Sequence, residues 1–395
     1  MTESTLEDTG RSGLEEHNHG GTEVPPSSRG HRFTAYDVEA FEVPGGREED
    51  WRFTPLKRLH GLHDGSAVAT GSLRVEVDND AARVETVERG DERLGTAGAP
   101  ADRVAAQAWS SFTEATVVTV PKDTQPQDPV IVTVQGPGEG ETAYGHLQVR
   151  AEPLSESVVV LDYRGSGAFG ENVELIAEGS AQLSVVTVHD LAEDAAQVSS
   201  EHVHLGKDAV FRHYAVSLGG DLVRVNTKVT FGDQGGDADM LGVYFSDSGQ
   251  HLEHRLLMDH AQPNCRSNVT YKGALQGNSA RSVWIGDVLI QAAAEGTDTF
   301  ELNRNLVLTE GARADSVPNL EIETGEIVGA GHASAIGRFD DEQLFYLQAR
   351  GIPYDQARRL VVRGFFGEIL QKIPAGDVRE RLEAAIDEEL NAVGA

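Results

Sequence analysis

Between Thr116 and about Val328 the chain is a close succession of short apolar runs, and this restricts its fold more than any other feature. The runs include "TVVTV", "PVIVTV", "SVVVLDY", "NVELIAEG", "AQLSVVTV", "AVFRHYAVSLGG", "VWIGDVLIQ" and "ELNRNLVLTEGA". They are rich in Val, Ile and Leu, and Gly, Asn, Asp or Glu-Gly interrupts them, as strands and corners require. The spacing leaves no room for helices between strands, so an all-β arrangement is expected over a βαβ sheet. A sandwich would need hairpins between antiparallel neighbours, whereas a parallel β-helix needs coil after coil of short strands with stacked inner faces. Single-glycine corners and a strand-only region of about 210 residues favour the solenoid. No strict hexapeptide repeat is present, so its rungs should be irregular.

Helical signals are confined to the flanks. Residues 1–30 are polar and without period, and read as a disordered acidic tail. Residues 31–115 read as an N-terminal region with short helices. Within it, "EEDWRFTPLKRL" spaces Trp51, Phe53, Leu56 and Leu59 as a short packing turn, and "ADRVAAQAWSSF" sets Val104, Ala108 and Phe112 on one helix face. The β-helix core is expected over 116–335 and a C-terminal helical domain over 336–395. There, one helix starts near Asp340 or Asp341 and stops at Gly351, and Pro353 opens a second with Ala357, Leu360, Val361, Phe365, Ile369 and Leu370 on one face. Asp377 is placed to cap a third, in which Val378, Leu382, Ile386 and Leu390 recur.

Composition excludes several function classes. The single cysteine, Cys265, permits no internal disulfide and no all-cysteine metal cage within one chain. With 64 acidic and 33 basic residues the formal charge is −31, which repels phosphate backbones and argues against a nucleic-acid partner. The N-terminus lacks the apolar stretch of a signal peptide, and no run reaches the roughly 20 apolar residues of a membrane span, so a cytoplasmic location is expected.

Motifs of known chemistry are weak by themselves. Gly165–Gly170, "GSGAFG", matches the glycine spacing of a dinucleotide turn, with Asp190 about 20 residues on. The next residues, "ENVELIAEG", read as strand, so a solenoid corner is expected instead of a pyrophosphate site. The sole Gly-Lys pair, Gly206 and Lys207, is followed by Asp208, so no P-loop exists and any ATP use belongs to another chain. His202 and His204 alternate on one strand face and His251, His254 and His260 cluster near Asp259. These could bind zinc, but no local spacing rule fixes a full ligand set, and strand-face histidines paired with carboxylates are expected. There is no G-x-S-x-G elbow for a serine hydrolase.

Three strings supply a specific signal: "HAQPNCRSNVTYKGALQGNSARSVWIGDVLI", "TDTFELNRNLVLTEGARADSVPNLEIE" and "GHASAIGRFDDEQLFYLQARGI". In this order, from about His260 to Leu370, they resemble the SufB/SufD family of iron–sulfur cluster assembly proteins, with a weaker match at "EEDWRFTPL". The length and the lone cysteine are closer to the SufD type. The resemblance implies a right-handed parallel β-helix with terminal helical regions. It also implies a heterodimer with SufB through the β-helix and docking of the ATPase SufC on the C-terminal helices.

By the same resemblance, His332 occupies the position that helps to build a nascent iron–sulfur cluster at the SufB interface, as a ligand shared with the partner; no cofactor is expected on the chain alone. Where some relatives carry a cysteine two residues earlier, this chain has Ala330. Cys265 is a lesser candidate for metal or sulfur handling. Phe345, Tyr346, Arg350 and Gly351 match the motif that faces SufC, with internal packing of the helical cap as their plain alternative. The expected role is a non-catalytic scaffold. The rival readings are a β-helix carbohydrate enzyme and a self-sufficient metal-binding homodimer, and a homodimer is also the expected pairing of the isolated chain.

Overall fold

The computed structural model describes residues 32–79, 81–338 and 341–392. The tail read over residues 1–30 lies outside them. Eighteen strands and four α-helices follow one another among the described residues. The first are β1 (Arg74–Asp78), β2 (Arg83–Glu88), α1 (Arg103–Ser111), β3 (Glu114–Val120), β4 (Val130–Gln135) and β5 (Thr142–Ala151). Then come β6 (Glu156–Gly165), β7 (Ala168–Ala177), β8 (Gln182–Leu191), β9 (Ala196–Leu205), β10 (Val210–Ser217), β11 (Leu222–Phe231) and β12 (Asp237–Ser246). The last strands are β13 (His251–His260), β14 (Arg266–Leu275), β15 (Arg281–Ile290), β16 (Asp298–Val307), β17 (Arg313–Ile322) and β18 (Gly329–Arg338). The chain closes with α2 (Asp341–Ala349), α3 (Tyr354–Leu370) and α4 (Gly376–Ala392).

These strands build a parallel β-solenoid of about eight turns. Successive strands fall alternately into two nine-stranded sheets, one ordered β1-β4-β6-β8-β10-β12-β14-β16-β18 and the other β17-β15-β13-β11-β9-β7-β5-β3-β2. Each strand therefore bonds to the strand one turn away, and register partners lie 26 residues apart (Thr142 and Ala168) to 32 apart (Asp287 and Asn319). Parallel pairing needs no helical crossover here, because the opposite sheet supplies the return path.

One corner repeats from turn to turn. Asp123, Leu154, Ser180, Asp208, Gly235, Asn264 and Gly296 all take a left-handed backbone. The N–H of each donates to a carbonyl of the next turn, as from Ser180 to Lys207 (2.8 Å) and from Asn264 to Glu295 (2.7 Å). That ladder pairs the backbone donors where the strands break.

The interior is filled by alternate residues of both sheets, among them Val132, Leu161, Phe169, Val185, Phe231, Met240, Val269 and Trp284. Both outer faces are partly covered. Over the second sheet, Trp51, Leu59, Leu62, Val104 and Ala108 pack on Tyr144, Ala168, Ala196, Val198 and Leu222. The helix α1 is capped by Asp102, whose Oδ1 accepts from the Ala105 N–H (2.8 Å), and it ends at Phe112. Over the first sheet, α3 and α4 bury Val362, Phe366, Ile369, Leu370, Leu382, Ile386 and Leu390 against Val186, Val188, Val216, Leu241, Val243 and Phe245.

The structure corrects the sequence reading in three places. On α3, Ala357, Ile369 and Leu370 are buried as expected, but Val362 and Phe366 complete the buried stripe in place of Val361 and Phe365, and Leu360 is 43% exposed. The sequence offers adjacent apolar pairs, Val361-Val362 and Phe365-Phe366, and the sheet beneath decides which member is covered. Asp377 lies in the first turn of α4, after its first residue Gly376, and so is not the cap. Strands also begin well before Thr116: β1 and β2 lie in the segment read as short helices and pair antiparallel with β4 and β3. The final strand runs on to Arg338. At "GSGAFG" the chain turns a corner, with Gly165 and Gly167 at positive φ, and continues as β7, so no helix offers its N-terminus there.

Candidate functional site

The two ends of the solenoid differ. At the N-terminal end, β1 and β2 close the sheets with edges bearing Arg74, Glu76, Asp78, Arg83, Glu85 and Glu88, the charged edges that discourage further strand pairing. At the other end, β17 and β18 are the last strands of their sheets, and neither is fully buried along its length. The outward row of β18 is Gly329, Gly331, Ala333, Ala335 and Gly337, so little side chain stands off its surface. Exposed apolar groups gather nearby: Phe300 (45% exposed), Ile322, Val328 (75%) and Ile336.

His332 sits on this open turn. It stacks in register on Glu301 of β16, its Nδ1 lies 3.8 Å from Glu301 Oε1, and its side chain is 43% exposed. Glu301 is almost wholly buried beside Trp284, so only the histidine reaches the surface. Ser334, two residues on, bonds Ser316 across the end of the bore (2.8 Å). The rim of the open end is therefore one imidazole over one carboxylate with two hydroxyls alongside. Sequence reading missed Glu301 and the serines; the alternation in "TFELNRN" marks Glu301 as sharing a face with Asn303, but not that this face points inward.

Beneath the rim the interior stays polar over several turns. Tyr244 Oη donates to Asn305 Oδ1 (2.7 Å) and accepts from Asn303 Nδ2 (2.9 Å). Deeper, His254 meets Ser217 (3.0 Å), His213 meets Thr187 (2.9 Å), His189 meets Gln197 (2.8 Å), and Gln197 donates to Glu171 (2.8 Å). Burial holds His189 down at about 4 and His213 and His254 at about 3, and pushes Glu171 and Glu201 up to about 7. These histidines are neutral at physiological pH, and the described residues include no group of three His, Cys, Asp or Glu arranged to hold a metal ion.

Cys265 is not at the rim. It lies in the corner before β14, 1% exposed, with its Sγ 3.5 Å from the carbonyls of Asp233 and Pro263. Burial raises its pKa, the opposite of what a reactive thiolate needs. The register places it two turns inward from His332, since His332 stacks on Glu301 and Glu301 on Val269 of the Cys265 turn.

The helical motif is at the surface. On α2, Leu344 is buried, while Phe345 and Tyr346 are 72% and 56% exposed, and the Arg350 guanidinium lies 4.6 Å from the Tyr346 ring centre. Gly351 ends the helix with a left-handed backbone. Tyr354 and Leu360 extend the apolar patch onto α3. Internal packing, the plain alternative for Phe345 and Tyr346, is excluded by this exposure. The unit is pinned to the solenoid by polar contacts at its edges: Arg381 donates twice to buried Asp162 (2.6 and 3.0 Å), and Lys272 pairs with Glu368 (2.6 Å). No helix among the described residues is long and apolar enough to cross a membrane.

Comparison with known proteins supplies the family. The family described as "SUF system FeS cluster assembly, SufBD core domain" matches residues 133–365, from β4 through most of α3. An iron–sulfur cluster assembly SufBD family protein of Mycobacterium tuberculosis is 64% identical over 370 residues, covering 92% of this chain and 93% of the relative. Its counterpart in Mycobacterium leprae is 60% identical over 377 residues, with 94% and 96% covered. The iron–sulfur cluster assembly protein SufD of Bacillus subtilis is 27% identical over 280 residues, with 69% and 63% covered. With a matching core domain over more than half its length and relatives this similar over nearly all of it, the chain belongs to the SufBD family of the SUF iron–sulfur cluster assembly system.

Proposed function

We propose that this chain is the SufD-type, non-catalytic scaffold of a SUF complex, pairing with SufB through the open end of its solenoid and docking the ATPase SufC on its terminal helices. The observation that carries the reading is the polarity of the solenoid, in which one end carries charged antiparallel edge strands and the other leaves two edge strands, small side chains and exposed apolar groups for a partner. Iron and sulfide are cargo here. A neutral imidazole ligates iron, so His332 supplies one nitrogen at the interface and the partner supplies thiolates. Burial leaves Cys265 without a part in this scheme. The Phe345, Tyr346 and Arg350 surface has the aromatic and arginine character of interface anchors, which supports its assignment to SufC. Without SufB, the same open end would mate with a second copy of the chain.

Co-expression with SufB and SufC tests the reading. The three chains should co-purify. His332→Ala should retain the complex and lower cluster yield, and Phe345→Ser with Tyr346→Ser should lose SufC while keeping SufB. Failure to recover either partner with the wild-type chain would overturn the scaffold assignment, and full cluster yield from His332→Ala would overturn the role of the histidine.

A further inference from the structure

The outer face of the second sheet, away from the rim and the helical patch, carries a cleft with charged groups in its walls. It measures about 120 Å³ and lies where the segment around Arg32 and residues 97–102 pass over β9, β11 and β13. That space accommodates roughly ten waters, enough for a free amino acid with a short side chain. His202 lines it while only 7% exposed, and its Nε2 has no hydrogen-bond partner. A buried imidazole nitrogen left open in this way calls for a partner. The loop above closes tightly on the ring, since a side chain at Gly98 would begin 2.4 Å from His202 Nδ1. Burial holds the ring uncharged at neutral pH, with its pKa lowered to about 4.

The walls carry both signs of charge. Lys228 stands in register beside His202, with Asp259 3.1 Å from its ammonium, and Arg32 closes the opposite side against Asp287 (3.2 Å) and Asp50 (3.6 Å). Asp102 adds a carboxylate whose Oδ2 accepts from Asn226 Nδ2 (3.3 Å), and burial raises its pKa. A simple anion would face Asp50, Asp102, Glu201 and Asp287, and a simple cation would face Lys228, Arg32, Arg224 and Arg255. A ligand holding both charges a short distance apart avoids both penalties.

We propose that this cleft binds a free α-amino acid with a small side chain as its zwitterion, the carboxylate held by Lys228 and His202 and the ammonium by Asp102. The full-length chain is titrated calorimetrically at pH 7 with glycine, alanine and serine, and with acetate and methylamine as the two halves of the ligand. Saturable heat is expected for at least one amino acid at concentrations where neither half binds. Lys228→Met and His202→Gln should each weaken that affinity about tenfold or more, as loss of a charge-assisted hydrogen bond does. Should either variant fail to fold, the wild-type His202 ring signals must move in an NMR titration with the amino acid. No binding at millimolar concentration, acetate binding as well as glycine, or folded variants with wild-type affinity would each overturn the proposal.

Discussion

Replacing Glu253 by Ala should destabilise the N-terminal cover of the solenoid by about 3–5 kcal/mol, the cost of breaking a buried ion pair from one side. Glu253 is fully buried on β13 and holds several elements at once. Its carboxylate meets Arg224 (2.8 Å) and Arg255 (3.3 Å), and accepts from Thr54 Oγ1 (2.7 Å) and His251 Nε2 (3.1 Å). Arg224, 1% exposed, also donates to the Asp50 carbonyl (2.8 Å) and stacks 4.0 Å over Trp51. Removing the carboxylate leaves two guanidinium groups with Asp50, at 2.9 Å from Arg255, and Asp102, which acts on Arg224, to balance them. Removing the pair together, as Arg224→Met with Glu253→Leu, keeps the Arg255–Asp50 pair and takes away the uncompensated charge, so the double variant should be the more stable of the two. Urea unfolding read by tryptophan fluorescence, to which Trp51 contributes, measures both. A single variant within about 1 kcal/mol of wild type, or a double variant as weak as the single, would refute the argument that charge balance holds this cover in place.

Other outcomes follow from the same physics. Leu154 holds a left-handed backbone while 58% exposed, so Leu154→Gly should raise stability by about 0.5–1 kcal/mol in urea unfolding. Asp162→Ala removes the acceptor of Arg381 and should lower hydrogen-exchange protection along α4 while leaving β6 to β16 protected. Stability should fall as pH drops from about 6.5. His189, His213, His254 and His260 titrate at about 3–4 when folded, so below 6.5 the unfolded chain takes up their protons first, at about 1.4 kcal/mol per pH unit for each group. Glu171 and Glu201, raised to about 7, act oppositely, losing their contribution as pH rises from about 4.5 to 7, and are outnumbered. Urea midpoints at pH 7, 6 and 5 check the direction, and a midpoint rising on acidification would contradict it.

The solenoid could be read from the sequence because its cause is local: Val-rich runs of strand length, and corners too short for a helix. The match around "GHASAIGRFDDEQLFYLQARGI" picked out His332 and the α2 surface for the same reason, being continuous in sequence. What escaped is set by the opposite wall. In a coil covered on both sides, apolar residues occupy both faces, so alternation no longer distinguishes inside from outside. "TVHDL" and "EHVHL" look alike, yet His189 points into the bore and His202 outward under the N-terminal cover. The β1 and β2 sequences, "RVEVD" and "RVETVE", carry too much charge to resemble the core runs, because they are edges.

The unequal ends of the coil also set how many copies can string together along its axis. A rod receptive at both tips would add units without limit and grow into a fibre. Under the pairing proposed above, the charged, reversed strands at the other tip would end growth after a single mating event and leave a finite assembly.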